Sequence, residues 1–411
     1  MPSSIESGVL VSYGPVRRLT VGSYFDGERL HRKGPYLVLL DGDSIAAIER
    51  SPDSAPPDIA FLMPTLVDAH VHVFLDGREL DPVLRKRHRL KDRDALLATA
   101  RANASAAWQA GIALLRDGGD PHGINDALRG WLQSEHADLR LRSCAVALHR
   151  AGRYGSFLGR AVAHDDDLVP LVREVAKTAD HIKVLLTGPI DFATGAAKGA
   201  PQFDAAAAST IVRTAREAGK LAFAHCNGAE GLQIALAAKF DSVEHGYGMN
   251  EELLRRMAGE GIAWTPTLAP VAALRHLPTT VTRSGNEALA QRGPQQARFW
   301  PVGVELDGIL SRHHEAIARA AQLGLTLLCG SDAGSQGVPH GSGLIDEIIL
   351  MAATGVPMET ILKAATSTPR MRWGEPSASL MPGSRFTAIA LPQSPFEASS
   401  ALRCVSHVAV D

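Results

Sequence analysis

Two histidines separated by a single residue, His70 and His72, stand at the end of the apolar segment MPTLVDAHVH. Side chains two positions apart on a β-strand project from the same face, so both imidazoles would point to one side. Two convergent imidazoles suit a divalent metal ion, whereas two ordinary polar residues at a strand end would give the same pattern. The motif alone leaves both interpretations open.

Other residues of ligand or catalytic type also stand where an apolar segment ends. They are Lys183 in HIKVLLTG, His225 in LAFAHC, His245 in DSVEHG and Asp332 in LTLLCGSD. In a parallel β/α barrel the carboxyl ends of the strands meet at one rim, and that rim supplies the catalytic groups. Four histidines, a lysine and an aspartate at equivalent strand ends therefore predict a metal site at such a rim.

The segments that would position these residues are apolar strands separated by helical patterns. Several helical patterns end at a glycine, as AAAASTIVRTAREA does at Gly219, where a left-handed residue can close the helix. Alternating strands and helices predict a parallel sheet, and eight such units predict an α/β fold of the closed (β/α)8 TIM-barrel class. An open doubly wound sheet is the alternative, but no G-x-G-x-x-G motif follows the first strand. The predicted strands are FLMPTLVDAHVH, IALLRD, LRSCAVALH, HIKVLLTG, LAFAHC, DSVEHG, IAWTPTLAP and LTLLCGSD.

The two ends of the chain differ from this central pattern. Residues 1–60 contain short alternating segments between Gly and Asp, which are typical of small antiparallel strands, and residues 375–411 contain one more strand, PGSRFTAIAL. We expect both ends to pair in one small β domain beside a barrel formed by residues 61–374.

In order and in strand position, the predicted ligands resemble those of the amidohydrolase superfamily. The flanking sequences MPTLVDAHVH, IKVLLTG, EHGYGM, GSDAG and ATSTP resemble its imidazolonepropionase-like and prolidase-like branch. The resemblance covers nearly the whole chain and implies that residues 1–60 and 375–411 form a composite β-sandwich. One departure lies in the tail, where PGSRFTAIAL lacks the acidic residue that is usual at this point of the superfamily.

The resemblance also implies a binuclear centre with a carboxylated lysine. His70, His72 and Asp332 would bind one divalent ion, His225 and His245 the other, and a carbamate on Lys183 would bridge them. The alternative for Lys183 is an ammonium that pairs with Asp332 or binds substrate. Zinc is the expected metal, although manganese, cobalt and nickel also suit these ligands. Asp332 would accept the proton of the nucleophile and pass it to the leaving group.

Candidate substrate contacts follow the third and sixth strands. By resemblance His149 would contact the substrate carbonyl as a further catalytic residue, while Arg153 could hold a carboxylate and Tyr154 or Tyr247 could donate to an oxyanion. Each could instead make local hydrogen bonds. Two rim loops, 188–203 and 269–301, are long enough to act as lids. Four other histidines are expected to be structural or solvent-facing: His276, His313, His314 and His340.

These features predict a hydrolase of the carbon–nitrogen bond of a small amide, such as an N-acyl amino acid or a dipeptide. The same site could hydrolyse an ester, lactone, carbamate or phosphotriester. Mononuclear deaminases of the superfamily that this chain resembles carry a glutamate two or three positions after the fifth-strand histidine. Here the first acid after His225 is Glu230, five positions on, so the resemblance disfavours a deaminase. A catalytically silent scaffold is disfavoured because all six ligands are present.

The overall composition limits the classes of binding partner that we expect. Lys and Arg total 42 against 44 Asp and Glu, for a formal net charge of −2, so no basic excess indicates nucleic acid or an anionic membrane. Four widely spaced cysteines indicate reduced thiols rather than a disulfide framework. No secretory signal or membrane-spanning run is evident, so we expect a cytoplasmic enzyme. Its expected partner is a small-molecule substrate, and the chain could also form a homo-oligomer.

Overall fold

The computed structural model describes residues 18–52, 56–136, 138–191, 194–275 and 303–408. His276 and most of the predicted lid loop 269–301 lie outside the described residues. No helix of the described part of the chain is both long and apolar enough to cross a bilayer.

Sixteen strands and twelve α-helices make up the described chain. The strands are β1 (Arg18–Phe25), β2 (Leu30–His31), β3 (Tyr36–Asp41), β4 (Ser44–Arg50), β5 (Ile59–Pro64), β6 (Leu66–Val71), β7 (Ile112–Asp117), β8 (Arg140–Ser143), β9 (Ala147–Arg150), β10 (Gly159–Val162), β11 (His181–Leu185), β12 (Leu221–Cys226), β13 (Ser242–His245), β14 (Ala263–Thr265), β15 (Ala388–Leu391) and β16 (Ser406–Val408). The helices are α1 (Pro82–His88), α2 (Arg93–Gln109), α3 (Ile124–Glu135), α4 (Leu168–Val175), α5 (Ala205–Glu217), α6 (Ala229–Ala237), α7 (Glu251–Glu260), α8 (Ala269–Leu274), α9 (Gly303–Gln322), α10 (Ser342–Ala353), α11 (Met358–Ala364) and α12 (Ser367–Trp373).

Strands from both chain ends share one seven-stranded sheet. Its order is β16-β15-β5-β1-β3-β4, with β2 beside β1. The tail strand β15 runs antiparallel to β5, with Ile389 opposite Met63. The two ends therefore pair with each other, while the boundaries at 60/61 and 374/375 stay a prediction.

The central part of the chain forms the parallel β/α barrel. β6, β7 and β8 make a three-stranded sheet, and β10-β9-β11-β12-β13-β14 make a six-stranded one. The eighth predicted strand, LTLLCGSD, pairs at single positions on both sides: Leu327 with Trp264 of β14, and Ala333, just past it, with Val71 of β6. This segment joins the last strand to the first, and the TIM-barrel class predicted from the sequence is confirmed.

Two strands that were predicted as continuous are divided. FLMPTLVDAHVH becomes β5 and β6, because the chain changes partners at Thr65: its N–H donates to Thr387, whereas the next N–H, of Leu66, donates to Gly111. The head sheet therefore extends to Pro64. LRSCAVALH becomes β8 and β9, because Ala145 between them adopts a left-handed φ of 56° that no strand accommodates.

The helix α5 shows how the sequence covers the barrel. Asp204 caps it by accepting from the N–H of Ala207, and Gly219 with φ 70° follows its end. Its buried residues recur at helical spacing on one face: Ala207, Ala208, Ile211, Val212 and Ala215. That face packs against α4, α6 and β12, which fixes the strand that carries His225.

The positions of the four cysteines fit the expectation of reduced thiols. Cys144, Cys226 and Cys329 are buried, and Cys404 is exposed. All four are free thiols.

Candidate active site

His70, His72 and Asp332 converge at the carboxyl end of β6. Oδ1 of Asp332 lies 3.3 Å from Nε2 of His72 and 3.7 Å from Nε2 of His70. One ligand atom from each of the three side chains lies within 4.8 Å of the others, and all three residues are buried. This arrangement suits a single cation, because two imidazoles and a carboxylate are donors that divalent metals accept.

The other three predicted ligands line the same cavity, which has a volume of about 300 Å³. The ring centroids of His225 and His245 are 4.4 Å apart, and those of His245 and His70 are 5.1 Å apart. The amine of Lys183 is buried without a hydrogen-bond partner among the described residues. It lies 4.3 Å from the centroid of the Phe223 ring. The structure thus brings all six predicted ligands to one cavity.

Burial sets the charge of these groups. It lowers the pKa of Lys183 to about 8, although the carboxylate of Glu244 opposes the shift. Burial, followed by the charge of Lys183, lowers the pKa of His225 to about 4. Burial alone would raise the pKa of Asp332, but its hydrogen bond with His72 helps to bring that pKa to about 2. His225 is therefore neutral and Asp332 ionised near neutral pH, which are the forms that bind metals.

A buried charged network holds the His70 ring. Nδ1 of His70 lies 2.8 Å from Oε2 of Glu244, and because a carboxylate accepts, Nδ1 carries the proton and Nε2 is left for a metal. The other carboxylate oxygen accepts from Arg116 at 2.6 Å and from Ser242 at 2.7 Å. Neither Arg116 nor Glu244 was predicted from the sequence as part of the site. The available signal was a charged residue inside each of the apolar strands IALLRD and DSVEHG.

The rings of His225 and His245 are also oriented by hydrogen bonds. Nδ1 of His245 lies 2.7 Å from the hydroxyl of Thr267, and Nε2 of His225 lies 3.2 Å from the carbonyl of Gly188. His245, Thr267 and Asp332 all have a left-handed φ between 50° and 69°. Non-glycine residues rarely adopt this region, and when they do they cluster at functional sites.

Two of the four predicted substrate contacts line cavities. Tyr154 lines the main cavity, and its ring centroid lies 5.5 Å from that of His225. Tyr247 lines an adjoining cavity of about 170 Å³, where its hydroxyl donates to the carbonyl of Thr267 at 3.3 Å. Burial raises the pKa of both phenols, so each stays protonated and able to donate.

The other two predicted contacts, His149 and Arg153, are not among the residues that line these cavities. Nδ1 of His149 lies 2.9 Å from the carbonyl of Arg150, and His149 is buried but lines neither cavity. Arg153 is exposed and donates to the carbonyl of Ala200 at 2.5 Å. Glu230, the acid weighed for deamination, is exposed at the start of α6. The contacts of His149 and Arg153 are local hydrogen bonds, the alternative stated for each from the sequence.

The described histidines among those expected to be structural differ in burial and in hydrogen bonding. His313 is buried, with Nε2 3.0 Å from the carbonyl of Pro266, and its ring stacks on Tyr247 at 3.9 Å. His340 is also buried, and neither of its ring nitrogens has a hydrogen-bond partner among the described residues. His314 is partly buried.

Sequence reasoning also missed the residues that line the outer part of the main cavity. They come from α1 and from the segment after Asp332, and they are Arg85, His88, Arg89, Ser335 and Gln336. Their sequence signal is weak because a basic helix is usually a solvated one.

Gly118 leaves room for the His72 ring, and we expect Gly118→Ala to weaken metal binding. An added Cβ would lie 2.5 Å from Cε1 of His72, and the backbone cannot retreat because Gly118 donates to Val71 of β6 at 2.8 Å. Displacing the ring should lower metal affinity roughly 10–100-fold, as measured by competition with a chelator.

Gly130→Ala is the matched control. Gly130 is exposed in α3 with open space where its Cβ would be. This variant should bind metal normally and gain about 0.5–1 kcal/mol in free energy of unfolding. Unchanged metal affinity in Gly118→Ala would show that the His72 ring is not held in place by this contact.

The fold and the site together define the class of this protein as the metal-dependent hydrolases built on a TIM barrel. The sequence profile of the amidohydrolase family matches residues 61–411, and the chain belongs to that family. It is accordingly a hydrolase that acts on carbon–nitrogen bonds, and the family expected from its motifs is confirmed.

Other comparisons are more distant. An uncharacterized protein of Mycobacterium tuberculosis is 26% identical over 323 residues, covering 78% of this chain and 76% of that protein. A Xaa-Pro dipeptidase with methionine bound in its active site has a TM-score of 0.73 at 22% identity, covering 94% of this chain and 96% of the dipeptidase. The A. niger ochratoxinase has a TM-score of 0.73 at 19% identity, and the match covers 95% of this chain and 93% of the ochratoxinase. At these identities the solved structures support the fold.

Proposed function

We propose that this protein hydrolyses the amide bond of an N-acyl amino acid or a dipeptide with the help of two divalent cations at the barrel rim. The observation that carries the proposal is that the His70–His72–Asp332 group and the amine of Lys183 line one cavity, and that this amine has no hydrogen-bond partner in the part of the chain that the structure describes. The structural similarity to a Xaa-Pro dipeptidase with an amino acid in its active site supports this substrate class.

The donor set fits two cations. The proposed ligands divide into His70, His72 and Asp332 for one ion, and His225 and His245 for the other. His70 and His245 each use one ring nitrogen for a hydrogen bond to the protein, which leaves the other as a ligand. Zinc is the expected ion, and manganese, cobalt and nickel also suit these donors. Bound cations of this kind lower the pKa of a water molecule and polarise a carbonyl oxygen.

Lys183 fits the site only in a modified form. An ammonium at this position would repel cations. It would also be buried without a hydrogen-bond partner among the described residues. With its pKa lowered to about 8, a fraction of the amine is neutral near pH 7 and can attack carbon dioxide. The N–C bond forms, a proton leaves, and the resulting carbamate is an anion able to bridge two cations.

Asp332 is positioned to move the proton. Ser335 donates to its Oδ2 at 2.9 Å, which leaves Oδ1 facing His70 and His72. In the proposed reaction Asp332 takes a proton from water as the water oxygen adds to the amide carbon. It returns that proton to the nitrogen as the C–N bond breaks, which gives a carboxylic acid and an amine.

The proposal is tested with metal-replete protein and a set of small substrates. We expect turnover of N-acetyl amino acids or dipeptides that is abolished by a chelator and restored by zinc or manganese. Aryl esters, lactones and phosphotriesters serve as the comparison, since the same site could attack them. Turnover of these alone, or amide hydrolysis that persists after the metal has been removed, would contradict the proposal.

We expect Lys183→Met to lose one of the two cations and nearly all turnover. Methionine keeps the length of the side chain but cannot be carboxylated. Elemental analysis should give about one metal per chain instead of two, and bicarbonate should speed reconstitution of the natural protein only. Lys177→Met, at an exposed position after α4, is the control and should keep both ions. Two ions per chain in Lys183→Met would rule out the bridging carbamate.

A further inference from the structure

The main cavity is lined on one side by two arginines from the segment that follows β6. Arg85 lies in α1, and Arg89 is the cap residue at the end of that helix. The guanidinium of Arg85 donates to the backbone carbonyls of Asp76, Glu79 and Gly334. Arg85 is thus held by the backbone and ties α1 to the barrel rim.

Arg89 is not held in this way. Its guanidinium makes no hydrogen bond or ion pair to any described residue, and it lies 4.6 Å from the centroid of the Phe157 ring. Phe157 packs edge-on against Tyr154 at 5.8 Å, and Tyr154 lies 5.5 Å from His225. The aromatic rings therefore hold a positive charge beside the predicted ligands, with its N–H donors available to an anion.

The cavity contains little negative charge to balance these arginines. Apart from Asp332, Asp76 is the only carboxylate among the described residues that line it, and its Oδ1 already accepts from the N–H groups of Arg78 and Glu79. A carboxylate on the substrate would supply the missing charge. Arginine suits this task because its planar N–H groups match a carboxylate in a bidentate pair.

The second cavity borders the same predicted ligands and has a different lining. It shares His225, His245 and Asp332 with the main cavity. Five apolar residues from the loop after β11 and from α8 line it: Pro189, Ile190, Pro270, Val271 and Leu274. Asn227, Tyr247 and Thr267 are the polar residues of this part, and none of them carries a charge. A charged group would lose hydration beside these five residues and find no oppositely charged side chain there, whereas a hydrocarbon chain would be stabilised.

We propose that Arg89 binds the carboxylate on the amine half of the substrate and that the second cavity holds an apolar acyl chain. The inference rests on the proposed function, because the scissile amide must lie at the shared ligands for its halves to reach the two cavities. It favours N-acyl amino acids with an apolar acyl group over free dipeptides, whose ammonium group would enter the apolar cavity.

The carboxylate contact is tested with N-hexanoyl-L-alanine and its N-methylamide, which lacks the negative charge. Arg89→Met should lower kcat/KM for release of hexanoate from the acid roughly 10–100-fold and leave the N-methylamide unchanged. Arg87→Met removes the same charge from an exposed position of α1 that lines neither cavity, and it should leave both substrates unchanged. An equal loss on both substrates, or none on either, would overturn the assignment.

A binding measurement separates this inference from the proposed function. N-hexyl-L-alanine has no amide to cleave, and calorimetry on metal-replete protein should show weaker binding to Arg89→Met than to Arg87→Met. That result would support Arg89 even if no amide were hydrolysed, which would be a failure of the proposed function alone. Equal binding to both variants would overturn the role of Arg89.

The apolar cavity is tested by the length of the acyl chain. From N-acetyl- to N-hexanoyl-L-alanine, kcat/KM should rise roughly two- to fourfold per methylene. Leu274→Trp should flatten this rise by filling the cavity, whereas Met371→Trp, at a residue 76% exposed on α12, should not. A flat series in the natural protein, or an unchanged rise in Leu274→Trp, would overturn this half of the proposal.

Discussion

Replacement of Asp332 by asparagine is expected to lower kcat for amide hydrolysis roughly 10³–10⁴-fold. Asparagine keeps the shape of the side chain but cannot accept a proton from water. It also removes the charge that lies 3.3 Å from His72 and 3.7 Å from His70, so metal affinity should fall as well. Rates at saturating metal separate the two effects, and the loss of kcat should remain.

Ser335→Ala is the matched control for this experiment. It removes one hydrogen bond to Oδ2 of Asp332 and leaves the carboxylate in place. We expect a loss below about tenfold, which corresponds to a single hydrogen bond to a charged group. If the Asp332→Asn enzyme were fully active, Asp332 would not be the proton acceptor of the reaction, and another group of the cavity would have to transfer the proton.

The largest effect on stability is expected from Arg116→Met. Arg116 and Glu244 form a buried pair with a distance of 2.6 Å between Nη2 and Oε1, and both side chains are almost fully excluded from solvent. Removal of the arginine leaves the carboxylate buried without its cation, which should cost about 3–5 kcal/mol in free energy of unfolding. Urea denaturation of the metal-free protein measures this directly.

Two further variants show that the pairing is the cause. The double variant Arg116→Met/Glu244→Gln no longer buries an unpaired charge and should recover part of the loss. Arg160→Met breaks an ion pair of the same 2.6 Å length, with Glu174, but both of these side chains are about half exposed. The free energy of unfolding of this variant should therefore be unchanged. Equal destabilisation by Arg116→Met and Arg160→Met would contradict the role of burial.

The six residues that meet in the main cavity could be selected from the sequence because the relevant signals are local. A ligand at the end of an apolar strand can be identified from a few neighbouring residues, and strand–helix alternation predicts the barrel that brings strand ends together. On that basis His70, His72, Lys183, His225, His245 and Asp332 were all found from the sequence, and the structure places them around one cavity. The family and the fold class followed from the same residues.

Where the strands divide was not predictable in this way. An apolar run such as FLMPTLVDAHVH has the same pattern whether it lies in one sheet or two. The change at Thr65 depends on hydrogen-bond partners near positions 387 and 111, far along the chain. Similarly, Ala145 between β8 and β9 carries no sequence signal for its left-handed φ.

The sequence by itself determined which side chains stand at the strand ends, and so the class of chemistry. Tertiary structure alone decided which groups surround them. Arg116 and Glu244 meet across 128 positions of the chain, and Arg89 reaches Phe157 only because α1 and the segment before β10 fold over the same rim. Contacts between distant segments depend on packing in three dimensions, and that packing supplies the groups that orient His70 and would select a substrate.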